Sequence, residues 1–126
     1  MTPARSDDRR RAGGAIRVPF VRRCHLEFVG GRSDETFIVN INALGAYIAA
    51  DVMPPLGWPV VITFKVPGSD RELSIDGVVA WNNPHQEHPV HSLPPGFGLA
   101  FRDLTAEAFG TVESIVADYL SRMSPS

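Results

Sequence analysis

Phe37-Ile38-Val39-Asn40-Ile41-Asn42-Ala43-Leu44-Gly45-Ala46-Tyr47-Ile48 decides the reading of this chain. Two apolar runs rich in β-branched and aromatic residues flank a polar corner, which is the pattern of strand, tight turn, strand. At the corner Asn40, Asn42 and Gly45 stand at spacing N-x-N-x-x-G. Asn bonds to backbone ahead of it, and Gly permits φ > 0 or a close approach. We expect strands over Thr36 to Ile41 and Ala46 to Ala50 around this corner.

Outward from it the chain keeps the period of two. Upstream, Phe20, Cys24, Leu26 and Phe28 share parity within Ile16 to Val29, as one face of a strand does. Val21 and Val29 break the alternation and call for a bulge or burial on both faces. Gly30-Gly31-Arg32-Ser33-Asp34 is a turn. Downstream, Pro54-Pro55-Leu56-Gly57 is a loop. Val60, Ile62, Phe64 and Val66 then alternate on one face. Pro67-Gly68-Ser69-Asp70 is a hairpin-like turn, and Leu73 to Trp81 and Phe97 to Phe101 complete the strands. Short strands with regular turn signals predict an antiparallel barrel or sandwich. From Ala106 to Met123 the period changes: Phe109, Val112, Ile115, Val116, Tyr119, Leu120 and Met123 recur at helical spacing. Thr105 is placed to cap that helix, and Glu107 suits the positive end of its dipole.

At 126 residues the chain makes one domain: an Arg-rich, flexible arm over 1–15, and the barrel with its helix over 16–126. Seven of the twelve Lys and Arg residues fall in the first 23 positions, although the formal net charge is −2. That asymmetry points to a local anion site or a basic tail rather than to DNA or RNA binding. A single cysteine, Cys24, excludes an internal disulfide and a cysteine-built metal site. No apolar run reaches membrane-spanning length and no signal-peptide core follows Met1, so a cytoplasmic location is expected.

Arginine offers paired donors on a flat cation that stacks, and Asn offers a donor beside an acceptor. A basic arm next to the Asn/Gly corner therefore suits an anionic ligand carrying a purine edge, although turn chemistry by itself also accounts for the Asn and Gly residues. His85, His88 and His91 repeat at every third position, but Pro84, Pro89, Pro94 and Pro95 surround them, and a solvated loop is expected in place of a zinc site. Cys24 and His25 are strand neighbours on opposite faces and do not form a nucleophile–base pair. Trp58 and Trp81 are expected to pack. We expect no catalytic residue, no metal and no cofactor.

Taken together these elements resemble the PilZ domain family, whose members are bacterial receptors for cyclic di-GMP. The family's Asp/Asn-x-Ser-x-x-Gly motif is met by Asn40-Ile41-Asn42-Ala43-Leu44-Gly45, with Asn42 in place of serine. Gly77-Val78-Val79-Ala80-Trp81 and Gly96-Phe97-Gly98-Leu99-Ala100-Phe101 match two further family features, and the likeness runs from about Arg9 to Leu120. The Arg-x-x-x-Arg motif is degenerate. Arg17-Val18-Pro19 matches its second half, but Gly13 stands where the first arginine falls. The resemblance implies a mainly β fold, a six-stranded antiparallel barrel with one C-terminal helix. It implies cyclic di-GMP contacts from Arg9, Arg10, Arg11 and Arg17, with Asn40, Asn42 and Gly45 at the guanine edge, and signalling through an unidentified protein partner. Ordering the arm on the ligand costs roughly 1–2 kcal/mol per residue in backbone entropy. The alternative is an adaptor that does not bind the nucleotide and works only by protein contact. The oligomeric state is left open.

Overall fold

The computed structural model describes residues 16–84 and 93–123. The expected arm over 1–15 and the histidines His85, His88 and His91 lie outside the described residues. Six strands appear where the period of two places them: β1 Val18–Phe28, β2 Ser33–Asn42, β3 Gly45–Ala49, β4 Pro59–Lys65, β5 Glu72–Asn83 and β6 Gly96–Arg102. One helix follows, α1 Ala106–Met123. The strands close into an antiparallel barrel in the order β1-β2-β3-β6-β5-β4.

Alternation fills the barrel. Cys24, Leu26, Ile38, Ile41, Ile48, Ile62, Phe64, Ile75 and Leu99 are all buried in one cluster. The exceptions to alternation are bulges, each a place where one strand carries an extra residue against its partner. They lie between Pro19 and Arg22 on β1, between Ile38 and Asn40 on β2, and between Val79 and Trp81 on β5. The broken parity at Val21 is thus a bulge and not two-sided burial, because Val21 is 76% exposed. Gly30 and Gly31, both with φ 96°, make the β1–β2 turn.

Closure is uneven. β4 pairs with β1 only through Cys24–Phe28, leaving the first half of β1 to β2 alone. α1 packs beside that opening, against β1, β2 and β5. Its start is fixed by Thr105, whose Oγ1 accepts the Ala108 N–H at 3.0 Å. Glu107 in the first turn pairs with Arg71. The barrel buries only Ala108 and Val112 fully and Ile115, Val116 and Tyr119 in part, while Phe109 and Met123 stay half-exposed or more. The apolar stripe of the helix is wider than the barrel covers.

Cys24 and His25 do face opposite ways. Burial, reinforced by the charge of Glu35, pushes the Cys24 thiol up to about 12, against a lowering by a backbone hydrogen bond at Thr36. His25 lies on the outer wall, its Nδ1 2.5 Å from Glu35 Oε2 and its Nε2 3.7 Å from Glu27. The Glu35 hydrogen bond is the main reason its pKa is raised.

Two outcomes follow from this wall and cap. A raised folded pKa means the His25–Glu35 pair contributes fully below the ordinary histidine value of about 6.5 and fades as pH rises through the higher folded value. Glu35→Gln should bring the His25 midpoint down toward the ordinary value in an NMR pH titration; an unchanged midpoint would refute the assignment. Thr105→Ala should cost about 1 kcal/mol in urea unfolding with the slope unchanged.

Candidate functional site

The quoted corner is held by Asn42. Its Oδ1 accepts the Leu44 N–H at 2.9 Å and the Gly45 N–H at 3.0 Å, and the residue is 2% exposed. The Asn42 side-chain oxygen is therefore engaged in closing the turn. Gly45 serves a close approach and not a left-handed turn. It has no positive φ. Its glycine character answers a close approach by β6, since a Cβ there would sit 2.1 Å from the Leu99 carbonyl oxygen. Two strand backbones meet where a side chain would stand.

Asn40 behaves differently. It pairs with Pro19 on one side and Tyr47 on the other; Tyr47 pairs with Gly98, and Gly98 with Trp81. Pro19, Asn40, Tyr47, Gly98 and Trp81 thus form one row across five strands on the outer wall. At about 4.8 Å per strand, Asn40 and Trp81 stand roughly 14 Å apart. The Asn40 Oδ1 is buried and has no hydrogen-bond partner among the described residues. A buried acceptor in that state costs about 1–3 kcal/mol unless something donates to it.

Trp81 is the residue that sequence reasoning assigned to packing alone. Its ring lies over Gly98, where a Cβ would meet Nε1 at 2.0 Å, and stacks on Tyr47 with centroids 5.3 Å apart and planes at 29°. Yet 39% of it is exposed. Tyr47 beneath it is fully buried. Its hydroxyl donates to the Pro94 carbonyl at 2.6 Å and accepts from Asn83 Nδ2 at 3.0 Å. Burial raises its pKa and keeps the hydroxyl protonated. Asn83 ends β5 and Pro94 precedes β6, so one hydroxyl ties both ends of the β5–β6 connection. Trp58, by contrast, packs as expected, 6.3 Å from the Phe28 ring.

Arg17 arrives at the same end of the wall. Val18 pairs with Ile41 and Pro19 with Asn40, so Arg17 stands one step before the ladder beside the corner. It is half-buried, its pKa is lowered by desolvation, and it has no ion pair among the described residues. Arg9, Arg10 and Arg11 lie outside the described residues. The structure thus brings Arg17, Asn40, Asn42 and Gly45 to one end of the β1–β2–β3 sheet and adds Trp81. The signal for Trp81 was available only through the bulge that turns it outward.

A closed six-stranded barrel with a polar, aromatic outer row and one flanking helix defines a small binding domain. The chain belongs to the PilZ domain family, whose sequence pattern matches residues 5–118. PilZ domains are binding and adaptor domains rather than enzymes, and are generally cyclic di-GMP receptors. Among solved structures the chain is similar to the PilZ domain of CeSA from a cellulose-synthesizing bacterium. The TM-score is 0.58 at 12% identity, covering 86% of this chain and 99% of that one. That likeness carries the fold. No curated protein matches the chain significantly. Among the described residues no helix is long and apolar enough to cross a membrane.

The two close approaches predict different penalties. In Gly98→Ala the obstacle is a ring that can swing outward, so the loss should be about 1–3 kcal/mol with red-shifted tryptophan emission. In Gly45→Ala the obstacle is the backbone of a paired strand, and the loss should be larger. Equal unfolding midpoints for the two variants would contradict this picture.

Proposed function

We propose that this chain is a PilZ-type cyclic di-GMP receptor and adaptor whose ligand lies along the outer row from Arg17 to Trp81. The observation that carries this reading is the pairing of two groups unmet among the described residues: a half-buried cation without a counter-ion there, Arg17, and a buried acceptor without a donor there, the Asn40 Oδ1. A guanine nucleotide answers both. Its phosphate supplies the anion and its exocyclic amine supplies the donor.

Each residue then has a distinct part. Arg17 pairs with phosphate or guanine. Asn40 takes the guanine edge. Asn42 holds the corner so that Asn40 is correctly aimed, and Gly45 keeps β6 close behind it. The exposed face of Trp81 receives a base, a contact of about 1–3 kcal/mol. Arg9, Arg10 and Arg11 close over the ligand from the arm, and the ordered arm alters the surface offered to a protein partner. A second reading, an adaptor that works without nucleotide, is favoured by Gly13 in the position of the first arginine.

Calorimetric titration separates the two readings. Cyclic di-GMP should bind the full chain, and Arg17→Ala, Asn40→Ala and Trp81→Ala should each weaken binding about tenfold or more. A folded protein that gives no heat, with the amide signals of Arg17, Asn40 and Gly45 unmoved at saturation, would leave only the adaptor reading.

A further inference from the structure

On the other side of β1 lies a groove of about 740 Å³ between the first half of that strand, the β4–β5 turn and α1. It exists because the barrel closes unevenly. β4 ends at Lys65 and its chain leaves through Val66 and Pro67, so β1 has β2 on one flank and the groove on the other over Pro19 to Arg22. An uncovered strand flank is a ready template for an added extended segment.

The groove mixes apolar and polar walls, with three arginines against one aspartate among its described lining residues. Phe20 and Ile115 and Tyr119 line it, all partly buried. Arg22 has the parity of the core residues Cys24 and Leu26, so it is turned toward the opening and not away from it. Its guanidinium lies 5.7 Å from the centre of the Phe20 ring. Among the described residues its buried Nε has no acceptor and its guanidinium no ion pair. Arg71 and Arg122 stand at the rim, paired with Glu107 and Asp118 respectively, so that Arg22 is the groove arginine without an ion pair among the described residues.

We propose that this groove receives an extended, acidic segment of a partner protein. A carboxylate of that segment would accept from Arg22 Nε and a terminal nitrogen together, the paired geometry for which guanidinium is suited. Alternate apolar side chains would fall against Phe20, Ile115 and Tyr119. The site shares only Pro19 with the outer row, and its role in signalling rests on the adaptor reading above.

The probe is a short fluorescein-labelled peptide alternating glutamate with leucine, and its control alternates lysine with leucine. Anisotropy titration against the full chain should show binding of the acidic peptide only. Arg22→Ala should weaken it about tenfold, the exposed Arg122→Glu should weaken it by a similar factor, and Arg32→Ala at the far turn should not change it. Equal binding of both peptides, or unchanged binding by both groove variants, overturns the proposal. So does either other occupant. A sedimentation dimer abolished by Arg122→Glu would assign the groove to a second copy. Amide shifts in residues 1–15 that follow the groove variants would assign it to the chain's own arm. The titration is run with and without cyclic di-GMP. Peptide binding that persists without any nucleotide response removes the receptor reading alone, and nucleotide binding without peptide binding removes the groove alone.

Discussion

The seam between β3 and β6 is the constraint on which the rest depends. Six strands close into a barrel only with strong curvature, and closed barrels tie strand tilt and stagger to strand number. Here the tightest approaches to backbone fall on that seam. A Cβ at Gly45 would meet the Leu99 carbonyl at 2.1 Å, and one at Gly96 would meet the Ile48 carbonyl at 2.1 Å. Glycine at both positions lets each strand lie against the other's carbonyls while Ile48 and Leu99 stay fully buried inside. With the backbones so close, Tyr47 is pressed outward against Gly98 and covered by Trp81. The core, the corner and the outer row thus share one geometric cause.

The bulges explain both what was legible in the sequence and what was not. Period-two alternation located β1, β4 and β5 because each buries one face. The Asn/Gly corner and flanking apolar runs located β2, β3 and β6, the last two of which are buried on both faces over most of their length, and helical spacing located α1. Alternation then misplaces the residues that matter most. On β5, Leu73, Ile75, Gly77 and Val79 are buried, and Trp81 continues their parity, which argues for packing inside. The extra residue Ala80 breaks the phase and sets Trp81 opposite Gly98 on the outer wall. On β2, Asn40 has the parity of the buried Ile38, and the bulge at Val39 turns it out beside Tyr47. A bulge leaves no compositional mark as plain as Asn-Gly leaves for a turn, so its effect is visible only once the partner strand supplies the register.

The corner shows the opposite limit. Asn42 and Gly45 were conspicuous in the sequence because turn residues and ligand residues are the same types. The structure separates the roles by asking where each polar atom is engaged. Asn42 Oδ1 accepts two backbone amides; Asn40 Oδ1 accepts none among the described residues. A motif read as three equivalent positions divides into one that builds the corner, one that admits the neighbouring strand and one that faces outward with an unmet acceptor.

Arg17 and Arg22 bracket the β1 bulge, and this gives the fold a physical route between its two faces. Pro19 belongs to the outer row through its pairing with Asn40 and also borders the groove beside α1. Proline fixes φ near −65° and cannot donate to a ladder, so it transmits a displacement of Val18 more stiffly than another residue would. The bulge that follows it is paired on one flank only among the described residues. A ligand that drew Arg17 toward Asn40 would act on Pro19 directly, and the compliance to absorb that movement lies at Val21 and Arg22, in the wall of the groove. Coupling of this kind needs no rearrangement of the core, because the closed half of β1 from Cys24 to Phe28 is clamped between β2 and β4.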